Sequence, residues 1–198
     1  MNYLQAFERT VRVHGDDTAL VTADGAEYTY EEFDRRSTQL TNALTERVGS
    51  APCAVLTLNG LPAAEGMIAG HKRGVPTVQL SFRGKPSELV TMAAVADAEA
   101  LVFDDANAET ATEVLERGEF EAAFHVGDDD VDAEGVESYE AVLDAAPESV
   151  DADLPRDGKT NVFFTSGTTS RPKAVAFDGE QMWLGAYQGV MEHGINRT

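Results

Sequence analysis

Residues 53–80 read CAVLTLNGLPAAEGMIAGHKRGVPTVQL. Cys53 to Leu58 is a mostly apolar run, too short for a helix and bounded by the turn signal Asn59-Gly60. Pro62 stands at the front of the next segment and Gly74 closes it, the asymmetry expected of a helix. Residues 76–80, PTVQL, then form a second strand. Strand, helix and strand in so short a span predict a βαβ unit with its two strands parallel.

The rhythm continues downstream. KPSELVTMAAVADA (85–98) reads as a helix and EALVF (99–103) as a strand. ANAETATEVLERG (106–118) is a third helix and EAAFHV (121–126) a fourth strand. Alternation of this kind predicts an α/β fold, with a parallel sheet and helices on its faces. Upstream, MNYLQAFERTVRVHG (1–15) reads as an amphipathic helix. ALVTADGAEYTY (19–30) is a hairpin turning at Asp24-Gly25. TYEEFDRRSTQLTNALTERVG (29–49) is a helix with a Thr29-to-Glu32 capping box and an apolar face of Phe33, Leu40, Ala43, Leu44 and Val48.

The expected organisation is therefore an opening helix, hairpin and helix over 1–50 and a βαβ core over 51–127. Residues 128–157 break the pattern: twelve of the thirty are acidic and Arg156 is the one basic residue. They read as an acidic surface excursion, with a short helix inside SYEAVLDAA (138–146). Residues 158–198 hold a strand (TNVFFTSG), a polar loop, a second short strand (KAVAF) and a final helix (GEQMWLGAYQGVMEHG).

The 198 residues suit one domain, and a chain of that length buries roughly 70% of its unfolded surface. No apolar run approaches the ~18 residues that would span a bilayer, and the first helix has no continuous apolar centre. The expected compartment is the cytoplasm. Thirty-five acidic against fifteen basic residues give a net charge of −20, with only four lysines. Such a surface belongs to an acidic interaction module or to a protein adapted to molar salt. The spread of acidic residues along the chain favours the second, and binding to a nucleic-acid backbone is not expected. A halophilic chain should melt at a higher temperature in molar than in millimolar potassium chloride, because screening removes self-repulsion. A flat melting temperature across that range would reject the reading. Cys53 stands alone in an apolar strand and reads as a buried thiol, not a nucleophile. His14, His71, His125 and His193 have no ligand spacing, and no metal is assigned to them.

The chemistry concentrates in residues 163–177, FFTSGTTSRPKAVAF. Gly167 and Lys173 are six apart, as in a Walker loop. However, Pro172 stands where that motif has glycine, Ala174 where it has Ser or Thr, and strand formers follow where it opens a helix. A different phosphate loop fits. Gly167 permits the strained geometry of a loop leaving a strand. Thr165, Ser166, Thr168, Thr169 and Ser170 offer hydroxyls, and Lys173 supplies a cation that can reach a β- or γ-phosphate.

This segment resembles the signature Thr-Ser-Gly-Thr-Thr-Gly-x-Pro-Lys-Gly of the adenylate-forming superfamily of acyl-CoA synthetases, luciferases and peptide-synthetase adenylation domains. Residues 15–44, 54–80 and 85–103 are similar, in order, to that family's upstream segments. The resemblance implies that Thr165, Ser166, Gly167, Thr168, Thr169 and Lys173 contact the β- and γ-phosphates of ATP. It also implies Mg2+ and CoA as further participants. Ser170 and Ala174 depart from the family's glycines, and Asp178-Gly179 stands where the family often has Thr-His. The family's magnesium-binding glutamate, ribose-binding aspartate and catalytic lysine belong to segments further downstream. The expectation is therefore the N-terminal portion of an acyl-CoA ligase that activates a carboxylic acid, with a fatty acid favoured. Alternatives are a stand-alone nucleotide- or partner-binding module without catalysis, or a merely polar turn.

Overall fold

A computed structural model describes residues 1–129, 131, 133–149, 158–165 and 172–194. The chain opens with helix α1 (Tyr3–His14), a hairpin of β1 (Thr18–Val21) and β2 (Glu27–Thr29), and helix α2 (Tyr30–Val48). Gly25 turns the hairpin at φ 89°, a left-handed conformation that favours glycine. The expected capping box forms: Thr29 Oγ1 accepts the Glu32 N–H at 3.2 Å, and Glu32 Oε2 accepts the Thr29 N–H at 2.8 Å. A second box, Asn2 with Gln5, starts α1.

The alternation read from the sequence follows. It comprises β3 (Cys53–Leu56), α3 (Leu61–Arg73), β4 (Thr77–Gln79), α4 (Pro86–Val95), β5 (Ala100–Asp104), α5 (Ala108–Arg117) and β6 (Ala122–Val126). After it come β7 (Val136–Ser138), α6 (Tyr139–Ala145), β8 (Lys159–Thr165), β9 (Lys173–Asp178) and α7 (Gly179–His193). Among the described residues the main sheet has the order β7-β6-β5-β3-β4-β8-β9. All neighbours are parallel except β8 and β9, which are antiparallel.

Strand periodicity divides the core between the two faces of this sheet. Cys53, Val55, Val102 and Phe124 pack on one face with Leu40 and Leu44 of α2, Ala69 of α3 and Leu143 of α6. Ala54, Leu56, Leu101 and Phe103 pack on the other with Leu89 of α4 and Val114 of α5. β3, β5 and β6 are thus covered on both faces, which is why they read as unbroken apolar runs.

The acidic segment carries more structure than a solvated excursion. Residues 136–138 add β7 in parallel to β6, and α6 buries Tyr139, Val142 and Leu143. Helical spacing lets α6 turn these apolar side chains inward while Glu140 and Asp144 stay outside. Residues 130, 132 and 150–157 lie outside the described residues.

A polar network fixes α6 in place. Glu65 of α3 is fully buried; it accepts from Arg36 Nε of α2 and, at 2.6 Å, from the Tyr139 hydroxyl. Arg36 also grips Glu140 with both terminal nitrogens, at 2.8 and 2.7 Å. Burial pushes the Glu65 carboxyl up, and the Arg36 charge pulls against that. The end of α3 is charged and buried as well. Lys72 Nζ donates to Asp34 Oδ1 at 2.8 Å, and Arg73 Nη2 donates to the carbonyls of Gly49 and Ala51 at 2.6 and 2.9 Å.

Candidate functional site

β8 carries the loop that the sequence singles out. It lies inside the sheet, with Thr160, Asn161 and Val162 buried between β4 and β9, and its last residue, Thr165, is exposed. β9 returns antiparallel with Lys173 directly opposite Thr165. Because β8 runs parallel to β3, β4, β5 and β6, this hairpin end sits at the edge of the sheet where those strands finish. Opposed residues in such a pair have Cβ atoms about 5 Å apart, so a hydroxyl and an ammonium flank the neck of the loop. Lys173 is exposed and has no ion pair among the described residues. Ser166, Gly167, Thr168 and Thr169, together with Ser170, lie outside the described residues. Of the six candidates, the structure therefore brings Thr165 and Lys173 together. Ala174, where the family has glycine, pairs with Phe164 and has an open, exposed face. Asp178 begins α7: its Oδ1 accepts the Glu180 and Gln181 N–H groups at 3.1 and 2.9 Å, which helps hold its carboxyl below the usual range.

A histidine that the sequence left without a role anchors this strand. His71, at the end of α3, is 2% exposed and stacks on Tyr3 of α1 with ring centroids 4.9 Å apart. Its Nε2 lies 3.1 Å from the Asn161 side-chain amide, within hydrogen-bond distance. Gly70 lets α3 come this close: a Cβ there would stand 2.7 Å from the Thr160 carbonyl oxygen and 2.6 Å from Thr77 Oγ1. The only available sequence signal was glycine one residue before histidine inside a helix, which does not identify a strand partner.

Burial pushes the His71 pKa down to about 4. Between that value and the ordinary one near 6.5 the unfolded chain binds a proton that the folded chain refuses, so stability rises with pH across the window. Acidifying through it should remove about 3 kcal/mol at most. In a proton NMR titration the His71 ring resonances should stay constant down to about pH 5. Titration near pH 6.5 would show that the ring is hydrated, not buried.

In doubly wound sheets the usual ligand crevice lies where the strand order reverses. Here the chain steps from β3 to β4 on one side and then returns to β5 on the other. Asp104, at the end of β5, reaches across to the end of β3. Its Oδ2 accepts the Leu58 N–H at 2.7 Å and its Oδ1 accepts from Asn107 Nδ2 at 2.6 Å. A fixed carboxylate there disfavours an anion. Cys53 is buried in β3, and burial pushes its thiol up to about 12, too high for a nucleophile at neutral pH.

The family profile described as "AMP-binding enzyme" matches residues 7–196. The chain belongs to the AMP-binding enzyme family. Within that family it is 26% identical to a 3-oxocholest-4-en-26-oate–CoA ligase of Rhodococcus rhodochrous, over 99% of this chain and 35% of the relative. A long-chain-fatty-acid–CoA ligase of Archaeoglobus fulgidus superposes with a TM-score of 0.82 at 19% identity, over 99% of this chain and 40% of that one. An anthranilate CoA ligase solved in complex with anthranoyl-AMP superposes at 0.81 with 23% identity, over 96% of this chain and 37% of that one. The AMP-binding fold read from the sequence is therefore present, and the chain spans about a third of the length of the curated relatives it matches.

Proposed function

We propose that this chain is the phosphate-binding N-terminal portion of an AMP-forming acid–thiol ligase. In the reaction a carboxylate oxygen attacks the α-phosphorus of ATP, and pyrophosphate leaves as the acyl-AMP forms. A thiol sulfur, that of CoA, then attacks the acyl carbon and releases AMP. The chain's own part is to hold the leaving pyrophosphate. Thr165, Ser166, Thr168 and Thr169 donate hydroxyl hydrogen bonds to the β- and γ-phosphates. Gly167 belongs to the same phosphate-contacting set, and Lys173 offsets the charge that builds on the bridging oxygen.

The observation that carries this reading is the pairing of Thr165 with Lys173 at the end of β8, in a chain matched by the AMP-binding profile along nearly its whole length. The acid is proposed to be a fatty acid or another large apolar carboxylate, because two of the three similar ligases named above are named for a long-chain fatty acid and for 3-oxocholest-4-en-26-oate. Mg2+ would arrive with the nucleotide. Among the described residues no cluster of acidic, histidine or cysteine side chains could hold a metal ion, so no ligand for it is assigned here. The adenine pocket, the acyl pocket and the acid–base machinery are assigned to the rest of the AMP-binding fold, and the cytoplasm is the proposed compartment.

The test is ATP–pyrophosphate exchange by the protein from its native source, in molar potassium chloride, across a panel of carboxylic acids. Acid-dependent exchange, followed by CoA-dependent release of AMP, is the expected result. ATP binding without exchange for any acid would favour the binding module that the departures at Ser170 and Ala174 allow.

A further inference from the structure

On the α2–α6 side of the molecule the carboxylates meet arginines: Arg36 reaches Glu65 and Glu140, and Arg47 reaches Glu137. At the end of the sheet where β5 and β6 begin, they do not. A groove of about 400 Å³ opens there between the C-terminal ends of α4 and α5, and Ala93, Ala98 and Phe120 form its apolar wall. Gly118 shapes that wall, since a Cβ there would stand 2.5 Å from the Phe120 ring. Glu99 and Glu121 line the same groove and are exposed. The Glu121 N–H donates to the Glu99 carbonyl at 2.8 Å, and Ala100 pairs with Ala122 one residue further on, so the two glutamates stand side by side where their strands start. Like charges placed opposite each other on neighbouring strands are destabilising.

Among the described residues no side chain neutralises this pair. Arg117, the one cation on the groove, is held by Glu113 of its own helix at 2.7 Å, and neither Glu99 nor Glu121 has an ion pair. The helices add to the negative field. α4 and α5 both finish at the groove, each bringing about half a negative charge on its last carbonyls, and the last turn of α4 has no basic residue. An aromatic wall also favours a cation. A groove of this size suits a small molecule. We propose that it binds an organic cation, an ammonium group on an apolar body, with the charge at Glu99 and Glu121 and the body against Ala93, Ala98 and Phe120. The site stands apart from the proposed phosphate site and does not rest on the ligase reading. It opens where the parallel strands begin, whereas Thr165 and Lys173 lie where they end. It is also on the face that α4 and α5 cover, whereas α7 packs against α1 on the side of α3.

Saturation-transfer NMR on the protein as its native source makes it tests this, with hexylammonium as the probe and hexanol and hexanoate as controls of the same apolar body. Binding is measured at the lowest potassium chloride concentration that keeps the fold, and again in molar salt. Hexylammonium should bind at least about tenfold more tightly than hexanol, and hexanoate should not bind. The preference should shrink in molar salt, where the carboxylates are screened. Glu99→Gln combined with Glu121→Gln should abolish the preference and leave hexanol binding as it was. The melting temperature of that variant should be unchanged or higher, because two repelling charges are removed. ATP should not displace the probe. Equal affinity for hexylammonium and hexanol, or a preference that survives the double substitution, overturns the proposal. Failure of hexylammonium to bind overturns it too, whether the groove is covered in the native protein or is filled by a basic peptide segment. Displacement of the probe by ATP would put it at the other end of the sheet, and the assignment to this groove falls.

Discussion

Lys173→Ala should lower ATP–pyrophosphate exchange by about 10²- to 10³-fold, the usual loss when one preorganised group facing transition-state charge is removed. The loss should fall mainly on kcat, because negative charge on the leaving pyrophosphate grows as the bond to the α-phosphorus breaks. The fold should not respond. Lys173 is exposed, has no ion pair among the described residues, and contributes to β9 through a backbone that alanine reproduces. The informative control is Lys159→Ala. Lys159 lies at the other end of the same hairpin, where it bridges Asp178 at 3.1 Å, so it removes a charge of the same kind without reaching the loop. Exchange measured on both variants, with melting temperatures alongside, decides the matter. If Lys173→Ala exchanges as fast as Lys159→Ala, Lys173 has no part in holding the phosphates.

The largest effect on stability is expected at Glu65. Glu65→Ala would leave the Tyr139 hydroxyl without its acceptor and Arg36 with one carboxylate instead of two, in a place that excludes water. Breaking one side of a buried ion pair costs about 3–5 kcal/mol. For a chain of this size that corresponds to a fall in melting temperature of roughly 6–20 °C. Tyr139→Phe should cost less, about 1–3 kcal/mol, because it removes one hydrogen bond and leaves the ion pair. Glu140→Ala should cost about 1 kcal/mol or less, since that carboxylate is more than half exposed and screened by solvent. Thermal unfolding in molar potassium chloride would measure all three. An effect of Glu65→Ala no larger than that of Glu140→Ala would mean that α6 is held by its apolar face alone.

Most of the element order was legible in the sequence because periodicity reports burial directly. The βαβ rhythm of residues 53–126, the Asp24-Gly25 hairpin and the Thr29–Glu32 cap are local signals, and each appears where its residues predict it. In the acidic segment the sequence shows the short helix but not its burial, for the opposite reason. Twelve carboxylates in thirty residues dominate any local average, whereas Tyr139, Val142 and Leu143 are buried by partners outside the segment, on α2, α3 and β6. Composition measures what a segment shows to solvent and is blind to the few side chains that it turns inward.

The sequence by itself determined the α/β class, the hydroxyl-rich segment with its lysine and the resemblance to the adenylate-forming enzymes, because each rests on contiguous residues. Only the tertiary structure decided that Glu65 is buried between Arg36 and Tyr139, and that His71 holds β8 through Asn161. It likewise decided that Asp104 accepts the Leu58 N–H beyond the end of β3, and that α7 leaves Leu184, Tyr187 and Met191 uncovered. Each of these depends on which distant residues share a desolvated space. A charge or an imidazole has no fixed meaning until its surroundings set the local dielectric and supply its partners.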